Sequence, residues 1–176
     1  MPDSPEVLFQ GRRFKIIRQT KTTEDGVVHA RETIVHPGSV VVLPLVSPDR
    51  VCLIRNARIA VGETLIELPA GTLDHPGEEP LECARRELAE ETGYRAARLE
   101  RLIEFWVSPG ILRERMLLFV ATELTAGATD LDAGEQIEKL VVPWHEALAM
   151  VHDGRIHDAK TLVSLLYYDR FIRGIS

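Results

Sequence analysis

The order of apolar patterns along the chain predicts an α+β domain: strands first, one helix in the middle, strands again and helices last. Two observations carry this. Short strand-like runs bounded by turn residues occupy the first third of the chain and return in its second half, and the apolar residues between Glu79 and Glu91 recur at helical spacing. Strand and helix do not alternate regularly, as a βαβ plan would require.

The first region, Arg12 to Arg55, reads FKIIRQ, VVHARETIVH, SVVVLPLV and VCLIR, broken at Glu24-Asp25-Gly26, Pro37-Gly38 and Ser47-Pro48-Asp49-Arg50. Consecutive short strands with such breaks predict antiparallel pairing. In the middle helix Leu81, Ala84 and Leu88 form the apolar stripe, Pro80 suits the first turn, and Gly93 suits the C-terminal cap. Further strands are expected at Leu99 to Val107, Arg115 to Leu124 and Ile137 to Val142, the last after a flexible run from Thr125 to Gly134. Two helices close the chain, Trp144 to His152 and one from an Asp158 N-cap to about Ile172. Residues 1–11 read as an N-terminal tail, in which EVLFQG (Glu6 to Gly11) is similar to a protease recognition sequence used to remove expression tags. Residues 12–176 read as a single domain.

Composition narrows the function. With 176 residues, 45% of them hydrophobic, the chain can bury one core. Its net charge of −6 leaves no general basic surface for nucleic acid. No apolar run is long enough to span a bilayer, and the first residues lack the order of a secretory signal, so a cytoplasmic protein with no membrane partner is expected. Cys52 and Cys83 lack the spacing of a zinc site or a disulfide scaffold and read as buried thiols.

Chemistry concentrates in the middle helix. Glu87 and Glu91 stand four residues apart and Glu90 three after Glu87, so three carboxylates share a face. Like charges stacked this way cost a few tenths of a kcal/mol per pair. Either the face is simply solvated, or it holds a cation; Mg²⁺, which takes oxygen ligands and bridges carboxylates to phosphates, fits the second reading. Upstream, Glu67-Leu68-Pro69-Ala70-Gly71 ends a strand and turns toward the helix.

The segment ELPAGTLDHPGEEPLECARRELAEETGY resembles the Nudix hydrolase box, G-x5-E-x7-R-E-U-x-E-E-x-G-U. The match is complete from Glu78 through Arg86, Glu87, Leu88, Glu90, Glu91 and Gly93, with Tyr94 at the last bulky position. Six residues, Thr72 to Gly77, separate Gly71 from Glu78 where the pattern has five. The resemblance implies a mixed sheet sandwiched between helices, with an N-terminal antiparallel strand region. It also implies Glu87, Glu91 and the Ala70 carbonyl as metal ligands, and Glu90 as a further ligand or the base that orients water. Glu78 and Arg86 would brace the loop against the helix. Mg²⁺ is the expected metal, with Mn²⁺ as a substitute.

Three further segments resemble the ADP-ribose pyrophosphatase branch of that family. Pro109 of VSPG, with Gly110, stands fifteen residues after the last box position. Arg55 and Arg58 are similar to a basic pair that would hold phosphate, and a guanidinium can do so through paired hydrogen bonds. Glu135, in GEQIE, matches a loop position that delivers a catalytic base, and Glu114 matches an acidic position near the metal. By the same resemblance the chain is a homodimer with strands 12–36 at its interface, where Arg31 and Glu32 would reach the adenosine. The implied reaction is metal-dependent hydrolysis of ADP-ribose to AMP and ribose 5-phosphate by water, with Glu135 or Glu90 taking the proton. A GDP-sugar or FAD as substrate, or a non-catalytic ADP-ribose sensor, are the alternatives.

Overall fold

In a computed structural model, residues 5–131, 134 and 136–175 are described. Among them ten strands form one branched, mixed sheet with three α-helices packed against it. The strands are β1 (Glu6–Gln10), β2 (Lys15–Thr22), β3 (Val28–Val35), β4 (Ser39–Ser47), β5 (Arg50–Arg58), β6 (Glu63–Glu67), β7 (Ala70–Thr72), β8 (Tyr94–Ser108), β9 (Leu112–Ala126) and β10 (Ile137–Pro143). The helices are α1 (Pro80–Thr92), α2 (Trp144–His152) and α3 (Ala159–Phe171).

The centre of the sheet is β4, an unbroken apolar run because both of its faces are covered. Val40 and Val42 face α1 together with Leu117, Phe119, Ala84 and Leu88. Val41 and Leu43 face the other way, against Met116, Leu118, Trp144 and Leu165. The period of two in a strand thus sorts one sequence into two cores, and the sheet lies sandwiched between helices as the resemblance implies. Trp144 ties the second helical layer together by donating from Nε1 to Asp169 Oδ1 at 2.7 Å.

Three expectations are corrected. Glu6–Gln10, read as part of a tail, forms β1 and pairs antiparallel with β2. The break at Pro37-Gly38 is a bend rather than a reversal. β3 and β4 run in succession parallel to β9, at Ile34↔Leu112 and then from Ser39↔Met116 to Pro44↔Ala121, while β8 pairs antiparallel with β9 along its length. Only with β9 present, more than seventy residues downstream, do β3 and β4 find this pairing. Finally, Leu81 is exposed, and the buried face of α1 is Cys83, Ala84, Leu88, Glu91 and Thr92. A carboxylate therefore lies on the core side of this helix.

Candidate active site

The short strand β7, entered from the turn after β6, pairs antiparallel with β4 and places the backbone of Ala70 and Gly71 beneath the helix. Val42 donates its N–H to the Pro69 carbonyl at 2.9 Å, fixing the turn to the central strand. Ala70 N–H in turn donates to Glu91 Oε2 at 2.9 Å, which satisfies one oxygen of that buried carboxylate. At Gly71 a Cβ would stand 1.9 Å from the Glu87 carboxyl carbon. Glycine is required here because a carboxylate occupies the space a side chain would fill.

Arg86 organises the rest of the helix face. It donates to Glu78 through Nε at 2.9 Å and Nη2 at 3.1 Å, and through Nη1 to Glu87 at 2.7 Å and Glu90 at 2.8 Å. These bonds hold the Glu78 carboxyl below the usual carboxylate range, against the opposing effect of burial. The extra residue before Glu78 is absorbed in a turn, where the Glu78 N–H bonds the His75 carbonyl at 3.1 Å and Gly77 adopts φ +79°. The brace survives the insertion. Gly93, at φ +72°, closes α1, and Lys139 Nζ donates to the Thr92 carbonyl at 3.0 Å.

Beside this face opens a cleft with two adjoining lobes that share Arg58, Ala70, Gly71 and Thr72. The larger, about 270 Å³, is also lined by His36, Ser39, Val107, Glu114 and Lys160. The smaller, about 140 Å³, is lined by Glu87, Glu90, Glu91 and Arg86, with Arg12 and Arg13 at its rim. The α1 glutamates and four arginines line the smaller lobe, and Lys160, Glu114 and Asp158 the larger, with Arg58 common to both.

Of the residues singled out in the sequence, Ala70, Gly71, Arg58, Glu87, Glu90, Glu91 and Glu114 meet at this cleft. Glu114 accepts a 2.7 Å hydrogen bond from Ser39 Oγ. Pro109 and Gly110 form the exposed turn between β8 and β9, beside the cleft-lining Val107. Arg55 stands apart. Three residues from Arg58 on one strand, it projects from the opposite face and pairs at 4.0 Å with Glu138. Arg31 and Glu32 lie exposed on β3, where Glu32 accepts from Arg18 Nε at 3.0 Å, and neither lines the cleft of its own chain. Glu135 lies outside the described residues; its neighbour Gln136 accepts from Ala57 N–H at 3.3 Å, and Asp130 N–H bonds the Glu90 carbonyl at 3.0 Å.

Two residues escaped the sequence reading. Glu67 is buried at the end of β6, where it accepts from Arg58 Nε at 2.8 Å and Nη2 at 2.6 Å and from Lys160 Nζ at 2.5 Å. Lys160, in the first turn of α3, also approaches Asp158 at 3.0 Å. A lysine there reads as a solvated surface residue. Burial rises along β6 toward Glu67 rather than alternating, so no local pattern marked it.

Among the described residues no three carboxylates converge on a single point, because Arg86 draws Glu87 and Glu90 to itself. The donor set still fits a hard divalent cation. It offers oxygen ligands only, on one rigid helix, over a backbone turn kept free of side chains at Gly71. Cys52 and Cys83 take no part, since burial pushes both thiols up to about 12.

Fold and cleft define the class: an α+β domain that brings a glutamate cluster against a pair of cations. The NUDIX domain matches residues 35–165, and the chain belongs to the Nudix family. It is 34% identical to an ADP-ribose pyrophosphatase of Bacillus subtilis over 164 residues, covering 92% of this chain and 88% of that one. It is 39% identical to a GDP-mannose pyrophosphatase of Cronobacter sakazakii over 166 residues, covering 88% and 85%. A crystal structure of an ADP compounds hydrolase superposes with a TM-score of 0.86, covering 100% of this chain and 95% of that one at 23% identity, which bears on the fold alone.

Proposed function

We propose that this Nudix hydrolase cuts the pyrophosphate bond of ADP-ribose to give AMP and ribose 5-phosphate. The observation that carries the reading is the cleft itself, where the glutamates of α1 face the cations Arg58 and Lys160 across the Ala70-Gly71 turn. A diphosphate needs positive charge on several sides, and this cleft supplies it from the chain on one side and from a bound cation on the other.

Glu87, Glu91, the Ala70 carbonyl and Glu90 hold the divalent cation, Mg²⁺ with Mn²⁺ as a substitute. When bound it neutralises the diphosphate and acidifies a water. Arg58 and Lys160 bind and orient the diphosphate oxygens. Glu114, steadied by Ser39, borders the reacting phosphorus, and the Pro109-Gly110 turn borders the sugar. Water itself attacks phosphorus, so no covalent enzyme intermediate forms, and Glu135 or Glu90 takes its proton. The tether of Asp130 to Glu90 and of Gln136 to Ala57 supports Glu135, because both flanks of its loop are anchored beside α1 and β5.

The exposed apolar residues Val7, Phe9 and Val28 on β1–β3 support a homodimer paired through this region. Arg31 and Glu32 then serve the partner's cleft. A cytoplasmic location completes the reading; among the described residues no helix is long and apolar enough to cross a membrane.

A second reading, a GDP-sugar substrate, is favoured by the 39% identity to the GDP-mannose enzyme. Release of AMP from ADP-ribose, with and without Mg²⁺, beside release of GMP from GDP-mannose and AMP from FAD, tests both. Metal-dependent AMP release that favours ADP-ribose is expected. Preference for GDP-mannose would transfer the function to the second reading, and binding of ADP-ribose without turnover would make the protein a sensor.

A further inference from the structure

The β6–α3 junction holds a charged network centred on Glu67, a residue that the proposed reaction leaves without a role. The Glu67 side chain is 1% exposed, so its ionised form is expensive unless it is paired. It is paired twice, with Arg58 through two hydrogen bonds and with Lys160 through a third. Burial opposes its ionisation, and the two cations outweigh that and keep its carboxyl low.

The network is also fixed from behind. Asp158 caps α3 by accepting from Thr161 N–H at 3.0 Å, and it takes the Thr161 hydroxyl at 2.6 Å. The same hydroxyl oxygen accepts the Leu68 N–H at 2.9 Å, joining α3 to the turn that carries Ala70. Lys160 lies between Asp158 and Glu67.

Arg58 has a competing partner. It lines the lobe that contains Glu91, and its charge is felt by Glu91 and Asp158 as well as Glu67. Arg58 is 40% exposed and so has room to swing. An arginine that paired with Glu91 would neutralise a carboxylate needed for the metal and leave the diphosphate lobe one cation short. The two-bond grip of Glu67 on Nε and Nη2 fixes the plane of the guanidinium and so opposes that swing.

We infer that Glu67 is a positioning residue, whose buried carboxylate holds Arg58 and Lys160 toward the diphosphate lobe and keeps Arg58 off Glu91. The inference rests on the reading of the cleft as a diphosphate and metal site. It adds that the cations and the metal-binding glutamates are kept apart by a carboxylate touching neither substrate nor metal.

The test measures Mn²⁺ binding calorimetrically without nucleotide, and KM and kcat for ADP-ribose at saturating Mg²⁺. In Glu67→Gln, Mn²⁺ affinity should fall about fivefold and KM rise about tenfold, with kcat changed less than about threefold, the size expected for losing charge-assisted contacts. In Glu67→Gln/Arg58→Gln, the guanidinium that the loss of Glu67 releases is itself removed, so Mn²⁺ affinity should return to that of the wild type while KM stays high. Merely structural damage would not be repaired by a second substitution. Should Glu67→Gln fail to fold, the charge-balanced Glu67→Gln/Lys160→Gln keeps Arg58 and carries the same expectation of weakened Mn²⁺ binding.

Unchanged Mn²⁺ affinity in the folded variant, or a loss that persists in the double variant with Arg58→Gln, would overturn the inference. The metal measurement needs no substrate. A wild type that binds Mn²⁺ but leaves ADP-ribose intact would refute the substrate reading while the Mn²⁺ series still decides the role of Glu67.

Discussion

Glu87 lies so close over Gly71 that a methyl group at 71 would stand 1.9 Å from its carboxyl carbon. Strand β7 and the glutamate-bearing helix α1 are therefore fitted to each other at one glycine, and the fit constrains a carboxylate rather than the core.

Gly71→Ala separates the two consequences. The displaced atoms belong to the far end of a flexible side chain, so stability should fall by about 1 kcal/mol or less. Glu87 must move off its place, and kcat should fall roughly a hundredfold. Thermal unfolding and steady-state kinetics on the same preparation check both; full activity would show that Glu87 need not sit over the turn.

Glu87→Gln and Glu91→Gln should each lower kcat/KM for ADP-ribose by a factor on the order of 10² to 10⁴, because a neutral amide oxygen lacks the negative charge that a carboxylate brings to a hard cation. The fold should survive in both, read by circular dichroism. Glu91 is the sharper case, since in Glu91→Gln the amide oxygen could still accept the Ala70 N–H, leaving ionic charge as the main difference.

Arg86→Ala leaves Glu78, Glu87 and Glu90 without their shared cation. The loss should be about 2 kcal/mol without metal, the scale of charge-assisted hydrogen bonds on a partly buried group. Added Mg²⁺ should recover part of it by supplying positive charge to the same face. Melting curves with and without Mg²⁺ measure the difference; equal losses under both conditions would mean that Arg86 and the metal do not share these carboxylates.

Acid sensitivity follows from the same bonds. The Glu78 carboxyl is held below its ordinary value of 4.5, chiefly by the Arg86 hydrogen bonds. A carboxylate depressed in the folded state adds stability that is complete above its unfolded value and lost as pH falls through the folded one. Stability should therefore drop below pH 4.5 in the wild type. Glu78→Gln should be less stable at neutral pH and show a shallower acid limb, compared by denaturant titration from neutral pH down through the acid limb.

Glu135→Gln and Glu90→Gln decide which carboxylate takes the proton. Loss of the base should lower kcat by about 10² to 10³ with KM and melting temperature unchanged. If Glu90→Gln lowers kcat while also weakening Mn²⁺ binding, its role is that of a ligand, and Glu135 is the base if its own variant shows the pure kcat loss.

The sequence by itself determined what depends on short spacing. Pro80 and Gly93 bracket a helix, and Glu87, Glu90 and Glu91 must share a face because three and four residues make one turn. The alternating apolar runs give the strands, and the uninterrupted apolar run of β4 marks it as covered on both sides. The pairing of Arg86 with Glu78, eight residues earlier and just ahead of the helix, is what the family resemblance implied.

What only the tertiary structure decided depends on residues far apart in the chain. The direction of the bend at Pro37-Gly38 was set by pairing to β9, which brings Ser39 to Glu114 across 75 residues. Arg58 is the stronger candidate of the Arg55–Arg58 pair in the sequence, and strand alternation puts the two on opposite faces, Arg58 in the cleft and Arg55 beside Glu138. Lys160 reaches Glu67 across 93 residues, a contact with no local signal in either segment. Local spacing can set which atoms share a helix face, because the helix geometry is fixed by its own backbone hydrogen bonds. A buried charge network forms only where separate elements close over it, since its desolvation is offset solely by partners that the finished fold delivers.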